Sequence, residues 1–169
     1  SGLAQIDNVI STEAYVTVKD NYRPVAQLGS SVDGVYSTEI TINNISSSSK
    51  QYDLSAISIV PKIEKMQAPS GKEYDYMMPQ SRYLESNEFI VTFSEETVTV
   101  EPGQSATVTV NFELTEDGKQ NLKAFENGIY MEGFIVLEDN SQDGIELHVP
   151  YIGFYGDWYA LDIFDKKVF

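Results

Sequence analysis

Residues 105–114 read Ser-Ala-Thr-Val-Thr-Val-Asn-Phe-Glu-Leu. Apolar side chains occupy every second position of this stretch: Ala106, Val108, Val110, Phe112 and Leu114. Because side chains alternate between the two faces of an extended strand, all five apolar groups share one face. The stretch therefore predicts a β-strand that buries one face in a core and leaves the other in solvent.

The same alternation recurs along the chain, with turn-forming residues between the runs. Asp33-Gly34 and Asn43-Asn44 flank the run Tyr36–Ile42, and we interpret both pairs as turns because these residue types tolerate positive φ. In the run Tyr52–Val60 the apolar phase slips after Ala56, which predicts a bulge or burial on both faces. The six further runs are Ala14–Val18, Tyr36–Ile42, Tyr52–Val60, Val98–Val100, Ile129–Glu138 and Ile145–Tyr151.

Two stretches interrupt the strand pattern. Residues 62–94 read as a long insertion that contains Pro69, Gly71 and Pro79, and Tyr and Met cluster within it between Tyr74 and Tyr83. Core packing, contact with a neighbouring domain and a disordered loop all remain open for this cluster. Residues 115–127 predict one short helix, which begins at Thr115 and stops at Gly128.

These features together define the predicted fold class. The chain has 169 residues, of which 41% are hydrophobic, so it can form one well-packed domain. The run at residues 105–114 and the six others make seven strands, the number typical of an immunoglobulin-like sandwich. We therefore predict an all-β sandwich of about seven strands with a long insertion and one short helix.

Charge and composition exclude several classes of partner. The formal net charge is -15 at pH 7, whereas nucleic acids and anionic membranes are bound by clustered Lys and Arg. No stretch approaches the roughly 20 apolar residues that cross a bilayer, so no direct membrane insertion is expected. The chain contains no cysteine, which excludes a disulfide scaffold and a thiolate metal site.

No motif in the sequence supplies catalytic chemistry. The one histidine, His148, alternates with Leu147 and Val149, so we expect it to face solvent or a neighbouring domain. No nucleophile elbow, phosphate-binding glycine loop or His-rich metal spacing is present. Asp139 and Asp143 in the loop after Glu138 are weak candidates for calcium ligands, but their spacing does not match an EF-hand. We predict no cofactor.

The densest cluster of aromatic residues lies near the carboxyl end, at residues 151–159. Two interpretations remain open: the rings close one end of the core, or they contact a neighbouring domain, since Trp and Tyr are frequent interface anchors. A carbohydrate or peptide site is a third, weaker alternative. The candidate contact residues are Tyr151, Phe154, Tyr155, Trp158 and Tyr159.

Three segments resemble one known family. Residues 149–158 read Val-Pro-Tyr-Ile-Gly-Phe-Tyr-Gly-Asp-Trp, and residues 127–134 read Asn-Gly-Ile-Tyr-Met-Glu-Gly-Phe. Both resemble segments of the fibronectin type III-like domain that follows the protease domain in subtilisin-like cell-envelope serine proteinases of Gram-positive bacteria. That family includes the lactocepin-type proteinases and the streptococcal complement-cleaving peptidases. Residues 1–10 are similar to the end of a subtilase catalytic domain, with Ser1 in place of its first glycine.

The resemblance implies a non-catalytic accessory domain of a secreted, cell-wall-associated subtilisin-like endopeptidase. Residues 1–12 would end the catalytic domain or form a linker, and residues 13–169 would form the fibronectin type III-like domain. The expected partners are the catalytic and neighbouring domains of the same chain and, as an exosite, the protein substrate. The alternatives are an adhesin-type or carbohydrate-binding sandwich and a calcium-stabilised spacer.

Overall fold

The computed structural model describes residues 10–141 and 144–160 of the chain. Two stacked β-sheets dominate this part of the molecule, which confirms the all-β sandwich. One helix, α1 (Glu116–Leu122), and a single 3-10 turn (Trp158–Ala160) accompany them. The strands are β1 (Ala14–Val18), β2 (Ala26–Ser31), β3 (Val35–Asn44), β4 (Lys50–Gln67), β5 (Glu73–Tyr83), β6 (Phe89–Phe93), β7 (Thr97–Val100), β8 (Ser105–Leu114), β9 (Ile129–Asp139) and β10 (Leu147–Tyr155).

The strand order shows how each sheet is assembled. The smaller sheet has the antiparallel order β1-β3-β8-β6. The larger sheet has the order β2-β10-β9-β4-β5, and β7 pairs with the first residues of β4. Strand β2 runs parallel to β10, while the other pairs of this sheet are antiparallel. No helix in the described ranges combines the length and apolar character of a membrane span.

The core lies between the inward faces of the two sheets. Phe112 of β8 meets Tyr151 of β10 with ring centroids 4.8 Å apart, and both side chains are buried. The Tyr36 hydroxyl donates a 2.8 Å hydrogen bond to the Phe154 carbonyl oxygen and so links the sheets across the core. The Tyr151 hydroxyl donates to Ser58 Oγ, which satisfies both buried polar groups.

The expected strand count was too low, because the structure has ten strands in the described residues. Strand β2 was missed because its sequence, Ala-Gln-Leu-Gly-Ser-Ser, has almost no alternation of apolar residues. The expected insertion at residues 62–94 contains the end of β4, all of β5 and β6. Its Tyr and Met cluster therefore lies on a strand and not in a disordered loop.

Two local expectations were also wrong. Asn44 is not a turn residue with positive φ: it ends β3 and is buried, where its Nδ2 donates to the carbonyl oxygens of Ser48 and Val100. The phase of β4 does not slip after Ala56. Ser58 and Val60 continue the inward face, and Ile57 is exposed on the other side. Ser58 takes an apolar position because Tyr151 satisfies its hydroxyl.

An ion pair between the partly exposed Arg82 and the buried Glu88 ties the larger sheet to helix α1. Both Glu88 oxygens accept from the Arg82 guanidinium, at 2.6 and 2.8 Å. The Glu88 carboxylate also accepts from the Glu85 backbone N–H and from Asn121 Nδ2 on the helix. The Arg82 hydrogen bonds outweigh burial and, with the other donors, hold the pKa of Glu88 at about 2. The carboxylate is therefore charged and fully bonded where β5, β6 and α1 meet.

We predict that Glu88→Gln lowers the free energy of unfolding by about 2–3 kcal/mol at pH 7, because it removes a charged acceptor and leaves Arg82 without its partner. The measurement is urea unfolding. Glu64→Gln is the matched control, since Glu64 pairs with Lys62 at an exposed position, and it should change stability by less than about 0.5 kcal/mol.

The pH dependence follows from the lowered pKa of Glu88. A carboxylate whose pKa falls on folding stabilises the fold above its unfolded pKa, and this contribution disappears as the pH falls through the folded value. The difference between the unmodified chain and Glu88→Gln should therefore be full at pH 6 and shrink steadily toward pH 2. A difference that stays constant between pH 6 and pH 2 would contradict the assigned ion pair.

We also predict that Gly133→Ala destabilises the fold by about 3 kcal/mol, because a β-carbon has no room there. It would collide with the Ile57 carbonyl oxygen and would lie 2.8 Å from the Tyr151 ring. Thermal unfolding measures the effect. Ser55→Ala on the neighbouring strand is the control and should be nearly neutral. An unchanged melting temperature for Gly133→Ala would show that β4 and β9 do not approach as described.

Candidate functional site

Three mutually contacting rings form an aromatic patch at the carboxyl end of β10. Phe154 and Trp158 meet edge to face, with ring centroids 5.1 Å apart. Tyr130 lies 5.1 Å from Phe154 and 5.6 Å from Trp158. Phe154 is buried beneath the other two, whereas Tyr130 is 45% and Trp158 48% exposed. Large, half-exposed aromatic groups on a fixed base are typical of contact surfaces.

The register of the sheet and two glycines position this patch. In the antiparallel pairing of β9 and β10, Tyr130 lies directly opposite Phe154. Gly128 precedes β9 with φ of 81°, and a β-carbon there would lie 2.5 Å from the Phe154 ring. Gly156 has φ of 133°, which lets the chain turn from β10 into the segment that carries Trp158. The position of the Phe154 ring therefore requires glycine at residue 128, where a β-carbon would collide with the ring.

A shallow groove of about 310 Å³ runs between the aromatic patch and the edge strand β2. Apolar groups line most of it, and polar atoms of β2 lie on one side. Within the described residues, no charged side chain lines this groove. Its lining residues are Gln27, Gly29, Ser30, Tyr130, Ile152, Gly153, Phe154, Trp158 and Tyr159.

Apolar side chains continue from the patch across the outer face of the larger sheet. Ile57 of β4 lies opposite Phe134 of β9, which in turn lies opposite Pro150 of β10. Ile57, Phe134 and Ile152 are 41%, 36% and 37% exposed. The solvent face of an antiparallel sheet is ordinarily polar. This outer face therefore carries exposed apolar side chains beside the aromatic patch, with Glu132 exposed between Tyr130 and Phe134 on β9.

The structure separates the five candidate residues of the tail into two groups. Tyr151 is buried in the core, and burial raises its pKa to about 12. Tyr155 shares the inward face and packs against the core cluster. Phe154, Trp158 and Tyr159 lie on the outer side, where Tyr159 is 90% exposed. Tyr151 and Tyr155 therefore belong with the core, and Phe154, Trp158 and Tyr159 stay as the candidates for contact with a partner.

The histidine and calcium candidates have simple surroundings. His148 is exposed, contacts the Glu146 carboxylate and lies beside the Phe134 ring. Asp139 accepts from Ser141, and Lys50 Nζ lies 3.5 Å from it. Burial raises the pKa of Asp139, but the Ser141 hydrogen bonds and Lys50 lower it overall. Asp143 lies outside the described residues, and the described acidic and histidine residues form no group suited to a metal ion.

Sequence reasoning missed Tyr130 and Ile152 as members of the site. The signal was present in the hairpin: pairing Ile129–Glu138 with the next run sets Tyr130 beside the tail once the register is known. The sequence between the two runs does not reveal that register by itself. Ile152 was included in the aromatic stretch, but its outward direction follows only from the regular alternation of β10.

Comparison with curated proteins finds relatives that are much longer than this chain. The C5a peptidase of Streptococcus pyogenes serotype M18 is 24% identical over 169 residues, which is 100% of this chain and 13% of the relative. The C5a peptidase of serotype M1 is 23% identical over the same shares. The chain thus spans 13% of the length of the curated relatives it matches.

Among solved structures, a family 123 glycoside hydrolase from Clostridium perfringens superposes with a TM-score of 0.55. The match has 9% sequence identity and covers 85% of this chain and 27% of the hydrolase chain. At this identity the superposition shows a shared sandwich fold and no shared activity.

A family model described as the Fn3-like domain matches residues 27–152, which is most of the chain. The match confirms the predicted resemblance and agrees with the two stacked sheets. Because an Fn3-like domain is a non-catalytic domain, it also confirms that this chain is not itself an enzyme. The chain belongs to the Fn3-like domain family.

Proposed function

We propose that this chain is the accessory domain of a longer, extracellular subtilisin-like serine endopeptidase located at the cell wall. The support is the Fn3-like family together with relatives named C5a peptidase, which align with the whole of this chain. In this proposal residues 1–12 end the catalytic domain or link to it, and residues 13–169 form the accessory domain. Residues 1–9 lie outside the described part of the structure.

The proposed role is to hold a neighbouring domain of the same polypeptide. The observation that carries it is the aromatic patch with the apolar side chains beside it: Tyr130, Phe134 and Ile57 are exposed on the larger sheet, and Trp158 is exposed on the 3-10 turn that follows β10. Contiguous exposed apolar area of this kind marks interaction surfaces in soluble proteins. A neighbouring domain in the same chain has a high effective concentration, so even a modest interface is populated.

We predict that Trp158 is shielded in the longer protein and open to solvent in the 169-residue chain. Hydroxyl-radical footprinting of both proteins measures this difference. Trp158, Tyr130 and Phe134 should be labelled at least about fivefold more slowly in the longer protein, because a neighbouring domain removes water from them. Tyr15, which is 49% exposed on the edge strand β1 of the smaller sheet, is the internal control and should be labelled equally in both.

Equal labelling of Trp158 in the two proteins would overturn the docking role. A glycan titration of the 169-residue chain distinguishes the alternative: binding that is lost in Trp158→Ala and kept in Tyr15→Ala would identify a carbohydrate-binding sandwich. The protease assignment is tested by the coding sequence upstream, which should encode the catalytic Asp, His and Ser segments of a subtilase. Their absence would contradict it.

A further inference from the structure

Residues 61–83 form an arm that projects beyond the body of the sandwich. Strand β9 pairs with β4 only as far as Ile59, and after that residue β4 pairs with β5 alone. The arm is therefore a two-stranded ribbon closed by a turn at residues 68–72. None of residues 61–83 is buried. Isolated two-stranded ribbons are only marginally stable in water. Because the arm buries no side chain, core packing does not explain its presence.

The outer edge of the arm differs from every other sheet edge in the described residues. The edge strands β1, β2, β6 and β7 have 5, 6, 5 and 4 residues, whereas β5 has 11. Proteins normally keep edge strands short or protect them with lysine, proline or bulges, because unpaired main-chain groups recruit further strands. In β5 the irregularity in the register and Pro79 lie beyond Met77, and residues 73–77 pair regularly with β4. In the described residues, no strand pairs with the edge of residues 73–77 that faces away from β4.

The side chains and charge of the arm indicate what this edge accepts. Tyr74, Tyr76 and Met77 are 45%, 47% and 60% exposed. Tyrosine and methionine adapt to varied apolar neighbours, which suits a surface of low sequence specificity. The arm carries four basic and three acidic residues, whereas the whole chain carries 11 and 26. The arm has a small net positive charge within an acidic domain, and so does not itself repel a neutral or acidic polypeptide.

We propose that the open edge of β5 at residues 73–78 binds an extended, apolar-rich polypeptide segment as an additional antiparallel or parallel strand. Main-chain hydrogen bonds would supply the affinity, Tyr74 and Tyr76 would contact side chains on one face of the segment, and Met77 would contact those on the other face. Six residues of strand span about 20 Å, enough for a stable added strand. The identity of the physiological partner rests on the proposed function: the segment belongs to a protein substrate of the endopeptidase.

The test uses the 169-residue chain and fluorescein-labelled ribonuclease A that is reduced and carbamidomethylated, so that it stays unfolded. Fluorescence anisotropy in 0.5 M NaCl measures binding while salt screens the net charge of the domain. Hydrogen exchange with and without the probe locates the contact. We expect the alternate amides of residues 73–78 that point away from β4 to exchange at least about tenfold more slowly with the probe bound, because they gain hydrogen bonds. Amides of β1 and β6 should be unchanged.

The matched variants are Tyr74→Lys/Tyr76→Lys on the arm and Tyr15→Lys/Tyr22→Lys elsewhere. Both pairs replace two exposed tyrosines and change the charge equally. The arm variant should bind the probe at least about fivefold more weakly, since lysine protects open edges, and the control should bind normally. Both should keep the melting temperature of the unmodified chain.

Unchanged exchange at residues 73–78 in the unmodified chain would overturn the proposal, and so would equal binding by the two variants. Protection at these residues that rises with chain concentration without the probe would overturn it in favour of pairing between copies. No protease is present in this assay, so its outcome is independent of whether the longer protein cleaves peptide bonds.

Discussion

The position of Tyr151 between the two sheets is the constraint on which the rest of the structure depends. Its ring packs on Phe112 of the opposite sheet, its hydroxyl satisfies Ser58, and it leaves room only for glycine at residue 133. Because side chains alternate along a strand, fixing Tyr151 inward also fixes the direction of its neighbours on β10. Phe154 must then face outward, and its carbonyl oxygen receives the Tyr36 hydroxyl across the core. One residue thus determines both the core and the base of the aromatic patch.

Much of the body of the fold could be predicted because its strands alternate cleanly. Alternate positions are buried from Val108 to Leu114 and from Ile129 to Leu137, as their sequences indicate, and Val136 is buried as well. Helix α1 begins where expected, since the Thr115 hydroxyl accepts from the Gly118 N–H. The predictions failed where other interactions decide the structure. β2 is held by parallel pairing with β10, and the arm is held by main-chain bonds to β4 and, at its base, by the ion pair between Arg82 and Glu88. The alternation in Glu-Tyr-Asp-Tyr at the start of β5 is too short to predict a strand without a buried face.

The candidate site was found only in part, for a physical reason. Composition located the aromatic cluster. The direction of each ring depends on the register between β9 and β10, which the sequence of that hairpin does not fix by itself. Tyr151 and Tyr155 therefore belong to the core, while Trp158 joins Tyr130 from another strand. The aromatic patch and the arm both carry exposed apolar side chains on the surface of the sandwich. An Fn3-like domain with these two surfaces is suited to hold two different partners, a neighbouring domain and an extended chain.

Cysteine scanning along β10 tests the two-sided strand most directly, since the chain has no cysteine of its own. His148→Cys and Ile152→Cys on the outer face should react with a thiol reagent within seconds to minutes under native conditions. Val149→Cys and Tyr151→Cys on the inner face should react only as fast as the domain opens. The predicted result is fast labelling at residues 148 and 152 and slow labelling at residues 149 and 151. Equal rates at all four positions, or fast labelling at residues 149 and 151, would contradict the account.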